Sequence, residues 1–138
     1  MYSIKGQAGN YGNNVDPSIA GLLQLMDTDP NLKGKYRITS LYRAGATTKD
    51  GGHSYHGYGK AVDIVPTAGS SFSELEQNIM TNKPLVEYML QTGLGILDEY
   101  TSNGYQDRTG ATGNHMHIGP DRLAVTCIQK LLKKYGYT

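Results

Sequence analysis

The stretch HSYHGYGKAVDIVP, residues 53–66, places two of the chain's four histidines, two glycines and an aspartate ahead of a short apolar run. The run KAVDIVP predicts a short β-strand that ends at Pro66, because proline cannot donate to a strand's hydrogen-bond ladder. The glycine-rich segment before it predicts a turn. His56 and Asp63 stand seven residues apart across this segment. A turn there can fold back and bring both side chains to one point.

The other two histidines lie in HMHIG, residues 115–119, which predicts a second short strand. Side chains alternate along a strand, so His115 and His117 are expected on the same face. Two histidines and a carboxylate form a common ligand set for catalytic zinc, which keeps one coordination position open. From the residues alone, either His115 or His117 could complete such a site.

Asp63 stands inside the run AVDIV, which is otherwise suited to burial. A lone carboxylate is costly to ionise in such surroundings. A metal partner would remove that cost, and this favours a metal site independently of the spacing.

The rest of the chain alternates between helical and extended patterns. Helices are predicted from Asp16-Pro17, in SSFSELEQNIM, from Pro84 to Gly93, and over 121–135; further strands are predicted over about 36–43 and in GLGILDEY. We therefore expect an α+β fold with a small, mostly antiparallel sheet flanked by helices. The 138 residues suit one domain, 1–138, with an N-terminal coil over 1–14, a metal-site core over 36–119 and the C-terminal helix over 121–135.

The charge and composition of the chain argue against several classes of protein. The net charge of +1 creates no field that would recruit nucleic acid or an anionic membrane, and we expect neither partner. The single cysteine, Cys127, excludes an internal disulfide and lies on the apolar stripe of the last helix, which predicts a core position. The opening residues MYSIKGQAGN lack the apolar segment of a signal peptide. We expect a monomer.

The stretch SYHGYGKAVDI resembles the S-x-H-x-x-G-x-A-x-D motif of zinc D,D-carboxypeptidases and L-Ala-D-Glu endopeptidases, the M15 peptidases, which share their fold with the hedgehog signalling domain. The fit covers five motif positions, namely Ser54, His56, Gly59, Ala61 and Asp63. HMHIG is similar to the family's closing H-x-H strand. ITSLYRAGATTKDGGHSYH resembles the stretch leading into the motif, with Arg43 at the family's substrate-binding arginine. The matches follow in the right order over about residues 38–118.

The resemblance implies a hedgehog-like or D,D-peptidase-like fold and a zinc ion held by His56, Asp63 and His117. His115 would then be a neighbour of the site and could donate a proton. Arg43 would bind a substrate carboxylate through its planar guanidinium or polarise the scissile carbonyl. Ser54, a motif residue, would contact the substrate. Apart from the resemblance, Tyr58 is a further candidate for substrate binding, and Tyr55 and Tyr100 could line the same cleft.

The chain departs from the family at the general base. The family commonly carries an acidic residue a few positions before the final zinc histidine, but Asn114 stands three residues before His117. The nearest acids upstream are Asp107 in a polar loop and the pair Asp98-Glu99 at the end of GILDEY. If that strand pairs with HMHIG, Glu99 or Asp98 would reach the site through the sheet. We favour Glu99, with Asp98 and Asp107 as alternatives.

These observations predict a zinc-dependent peptidase that hydrolyses peptidoglycan stem peptides, as a carboxypeptidase or an endopeptidase. Together with the missing signal peptide, they suggest a phage lysin or tail-associated lytic domain. Such a domain would reside in the host cytoplasm before lysis or in the virion, and would act on the cell wall. One alternative is a zinc-containing wall-binding or virion module that does not hydrolyse its ligand. Another is a metal-free virion or interaction domain.

Overall fold

A computed structural model describes residues 3–4, 15–40, 55, 59–99 and 115–137. Within these ranges the chain forms four helices and five strands, which confirms the predicted α+β class. The helices are α1 (Pro17–Thr28), α2 (Phe72–Met80), α3 (Lys83–Thr92) and α4 (Arg122–Lys134). The strands are β1 (Ser3–Ile4), β2 (Tyr36–Ser40), β3 (Val62–Pro66), β4 (Gly95–Glu99) and β5 (His115–Gly119).

The strands form one sheet in the order β1-β2-β3-β5-β4. Strand β1 runs parallel to β2, and every other neighbouring pair is antiparallel, as the mostly antiparallel prediction requires. Strands β3 and β5 are far apart in sequence but adjacent in the sheet. This topology places the two histidine-containing motifs side by side.

The buried apolar residues of β3 and β5 share one face of the sheet. Val62, Ile64, Met116 and Ile118 are completely buried there, and they share one apolar cluster with residues of all four helices. Because side chains alternate along a strand, Asp63 and His117 lie on the opposite face. On β3 and β5 the core residues and the candidate site therefore use opposite faces. On β4 the core continues onto the site's face, because Leu97 pairs with His117 and is buried.

Local capping explains where the helices begin. Asp16 accepts a hydrogen bond from the Ser18 backbone N–H, so α1 starts at Pro17 as predicted. The predicted start of α3 at Pro84 is one residue late. Asn82 caps this helix by accepting from the Leu85 N–H, and Pro84 occupies the second helical position, where no intrahelical N–H is needed.

One further prediction is wrong for two residues, and another extends beyond the described residues. Residues 3–4 of the expected N-terminal coil form β1, which pairs with the edge of β2. Of the strand predicted over 36–43, residues 36–40 are extended, and 41–43 lie outside the described residues.

Across the described ranges, no helix combines the length and the apolar character needed to cross a membrane.

Candidate metal centre

The sheet register brings Asp63 and His117 together. They are direct partners across β3 and β5, and paired residues on neighbouring strands project from the same face. Nδ1 of His117 lies 2.8 Å from Oδ1 of Asp63. Both residues are buried, with exposed fractions of 7% and 8%. The structure thus brings together two of the three predicted zinc ligands.

A β-bulge on the neighbouring strand faces Asp63. Ile38 pairs with Ile64, but Ser40 rather than Thr39 pairs with Asp63, so β2 carries one extra residue at this point. The Thr39 hydroxyl donates to the Asp63 carbonyl at 3.4 Å. Bulges increase the local twist of a strand and often occur beside functional sites, where they re-aim a side chain.

His115 faces the second oxygen of the same carboxylate. Its Nε2 lies 3.5 Å from Oδ2 of Asp63. Both histidines of HMHIG therefore lie on the face of the sheet that carries Asp63, as strand alternation predicts. His117 is closer to Asp63 and more deeply buried than His115.

Asp121 contacts the other ring nitrogen of His117, a contact that the sequence does not predict. Oδ1 of Asp121 lies 2.6 Å from Nε2 of His117. Gly119 leaves room for this contact, because a Cβ at that position would stand 2.5 Å from Oδ1 of Asp121 and 3.2 Å from Nε2 of His117. The only sequence signal is an aspartate four residues after His117, which reads as an ordinary helix start.

The two carboxylates decide the charge of His117 in the metal-free protein. Desolvation by burial lowers the pKa of His117, but hydrogen bonds to Asp121 and Asp63 outweigh it and raise that pKa to about 10. The ring is therefore an imidazolium at neutral pH, donating to a carboxylate on each side. A metal ion at either nitrogen must replace a proton.

The register also separates the candidate general bases. Strand β4 pairs with β5, as the Glu99 prediction required, and this pairing sets Glu99 opposite His115 and Asp98 opposite Met116. Position 99 therefore belongs to the site's face of the sheet, and position 98 belongs to the face of the fully buried Met116. The backbone favours Glu99 over Asp98; the side chains of both lie outside the described part.

Several predicted site residues lie outside the described residues, namely Arg43, Ser54, His56, Tyr58 and Asp107. The described positions around the motif turn are anchored. The Lys60 N–H donates to the Tyr55 carbonyl at 2.9 Å, and the Asp16 N–H donates to the Gly59 carbonyl at 2.9 Å. Gly59 has a φ of 70°, a left-handed conformation that favours glycine.

The described donors suit zinc. Atoms of different ligands in a tetrahedral zinc site stand about 3.3 Å apart. The two described members of the predicted ligand set, Oδ1 of Asp63 and Nδ1 of His117, stand 2.8 Å apart, close to that separation. Within the described ranges, no group of three or more His, Cys, Asp or Glu side chains could hold a metal ion by itself. The described chain thus supplies Asp63 and His117, and the predicted third ligand, His56, lies outside it.

No protein-family model matches the chain, and no curated protein matches it. The likeness to the zinc peptidases therefore rests on the motif residues alone.

Proposed function

We propose that the chain is a zinc-dependent peptidase that hydrolyses peptide bonds in bacterial peptidoglycan. The observation that carries the proposal is the buried contact between Asp63 and His117, which are separated by 54 residues and meet across two sheet strands. An apolar pair at this position would pack without any desolvation cost. A metal site gives a reason to retain an acid and an imidazole there.

In this proposal His56, Asp63 and His117 hold the zinc ion. When bound, zinc supplies Lewis-acid polarisation of the scissile carbonyl and makes water nucleophilic at neutral pH. Asp63 contributes the negative charge that offsets part of the cation's charge. His117 binds as a neutral ring after losing a proton.

Proton transfer is assigned to Glu99, at the register position opposite His115. Its carboxylate would take a proton from the attacking water and deliver it to the leaving amine. His115, which contacts Asp63, would donate a hydrogen bond or a proton at the same face. Arg43 would hold a substrate carboxylate through two parallel hydrogen bonds, with Ser54 and Tyr58 as further substrate contacts.

The substrate class follows from the family resemblance. Peptidoglycan stem peptides carry free carboxylates that an arginine can bind. We further propose that the chain works as a monomer in a phage lysin or a tail-associated lytic domain.

The test is release of soluble muropeptides from purified cell walls by the zinc-loaded protein, with and without a chelator. Glu99→Gln should lower the rate at least 100-fold, a typical loss for a general base. Asp98→Asn is the matched control, because the neighbouring acid lies at a register position on the other face; its rate should stay within a few-fold of wild type. A protein that binds zinc but releases nothing from any wall type would contradict the proposal.

A non-hydrolytic wall-binding or virion module is the second candidate. The observation in its favour is Asn114, which stands where the family commonly has an acid. It predicts that wild type and Glu99→Gln both sediment with cell walls and that neither releases muropeptides.

A further inference from the structure

We infer that Asp121 is a positioning residue that fixes the ring of His117 with a proton on Nε2 and leaves Nδ1 for the metal; the inference rests on the proposed zinc site. Asp121 would not touch the metal or the substrate. It would act through His117, whose Nε2 lies 2.6 Å from its Oδ1.

An aspartate at the position of Asp121 would ordinarily cap a helix. It is the N-cap of α4, where a side-chain oxygen usually accepts from the helix's first turn and stabilises it by about 1 kcal/mol. Asp16, Ser71 and Asn82 do this for α1, α2 and α3. Asp121 makes no such bond.

Backbone geometry does not explain the difference. Asp121 has φ −56° and ψ 144°, almost the same as the −60° and 143° of Asp16, which does cap its helix. The Asp121 carboxylate bonds to His117 instead of the helix. In α4 the capping residue bonds to a buried histidine, and the helix lacks its usual side-chain cap. Such exceptions to local helix chemistry are expected at functional sites.

The surrounding chain holds this arrangement in place. Gly95 and Gly119 are direct partners in the sheet. Because neither residue has a Cβ, α4 and the residues that precede it can lie close to both strands. A Cβ on Gly95 would overlap the backbone of Ala124 and Val125, so α4 rests directly on β4. A Cβ on Gly119 would crowd Asp121 and His117. The start of α4 is thus fixed beside Nε2.

The chemical consequence concerns the single proton of a metal-binding imidazole. Both ring nitrogens of His117 contact a carboxylate, Nδ1 that of Asp63 and Nε2 that of Asp121. When Asp63 binds the metal, Asp121 would keep the proton on Nε2 and leave the Nδ1 lone pair on the Asp63 side. Carboxylate partners of this kind raise the basicity of the ligand and commonly contribute 10–100-fold to metal affinity. The Asp121 side chain is 28% exposed against 9% for that of His117, which fits a group on the outer side of the site.

The first experiment measures the zinc dissociation constant by competition with a chromophoric chelator, a readout that does not require hydrolysis. Asp121→Ala should weaken zinc binding by about 10–100-fold. Asp121→Asn should lose less, because its amide oxygen can still accept from Nε2–H. Ser71→Ala is the matched control. It removes the cap of α2 away from the site and should keep the wild-type affinity.

The second experiment reads the tautomer directly by long-range ¹H–¹⁵N NMR of the zinc-loaded protein. Wild type should show His117 protonated at Nε2 and bound to zinc at Nδ1. This spectrum decides the matter if Asp121→Ala does not fold by circular dichroism.

Zinc bound through Nε2 would overturn the inference, and so would an affinity of Asp121→Ala within twofold of wild type or an affinity of Asp121→Asn no higher than that of Asp121→Ala. A wild-type protein that binds no zinc would overturn the proposed function and the inference together. Tight zinc binding with the expected losses but without wall hydrolysis would overturn the hydrolytic function alone.

Discussion

Raising the pH should destabilise the metal-free protein through His117. The pKa of this imidazole is about 10 in the fold against an ordinary 6.5, since Asp121 and Asp63 both accept from it. The folded state therefore holds a proton that the unfolded chain releases between these values. This stabilisation is complete below pH 6.5 and is lost as the pH rises through 10.

The size of this stabilisation follows from the difference between the folded and unfolded pKa values of His117. It is 10 − 6.5 = 3.5 pH units, and each unit corresponds to about 1.4 kcal/mol. The free energy of unfolding should therefore fall by up to about 5 kcal/mol across this range, with a slope of at most about 1.4 kcal/mol per pH unit.

The assay is urea unfolding at pH 6 to 10 in the presence of a chelator. Tyrosines and lysines also titrate near pH 10, so the result is the difference between wild type and His117→Gln, which lacks the titrating ring. Zinc should change this pH dependence, because zinc binding expels a proton from His117. The affinity for zinc should therefore rise by up to about tenfold per pH unit. Equal pH dependence in wild type and His117→Gln would refute the reasoning.

Three further predictions concern stability, each measured by urea unfolding. Gly95→Ala should lower the free energy of unfolding by about 1–3 kcal/mol or more, because the new Cβ meets the backbone of Ala124, which cannot rotate away. An unchanged urea midpoint would show that β4 and α4 separate freely. Asp16→Ala should lose about 1 kcal/mol with the α1 cap, whereas Asp16→Asn should keep most of it; equal losses would contradict a capping role. Tyr135→Phe should lower the free energy of unfolding by about 1–2 kcal/mol, because the Tyr135 hydroxyl donates at 2.7 Å to the buried Glu76 carboxylate. An unchanged stability would contradict this and would mean that Lys134, 2.9 Å from the same oxygen, satisfies the carboxylate by itself.

The sequence predicted what local chemistry decides. Asp16-Pro17 marks the start of α1 because cap and proline act within one turn, and Cys127 is buried as the apolar stripe of the last helix requires. The α3 start was wrong by one residue because proline also fits the second helical position, with Asn82 as the cap. The α+β class follows from the order of such elements.

Contacts set by the tertiary fold could not be predicted in the same way. Asp121 looks like a helix cap, and only the approach of α4 to β4 and β5 shows that it bonds to His117. Glu76 belongs to an acidic helix, yet it is 2% exposed and contacts Lys134 and Tyr135 from the far end of the chain. The strand register sets position 99 rather than position 98 on the site's face, and the hydrophobic pattern of β4 does not encode that register.

The central claim is a zinc ion held at the junction of β3 and β5. It is tested most directly by a crystal structure of the zinc-loaded protein with anomalous diffraction recorded at the zinc edge. We predict one strong peak in contact with the Asp63 carboxylate and Nδ1 of His117, with His56 as the third ligand and Glu99 at the same face. No peak at these residues, or a peak held by other side chains, would contradict the claim.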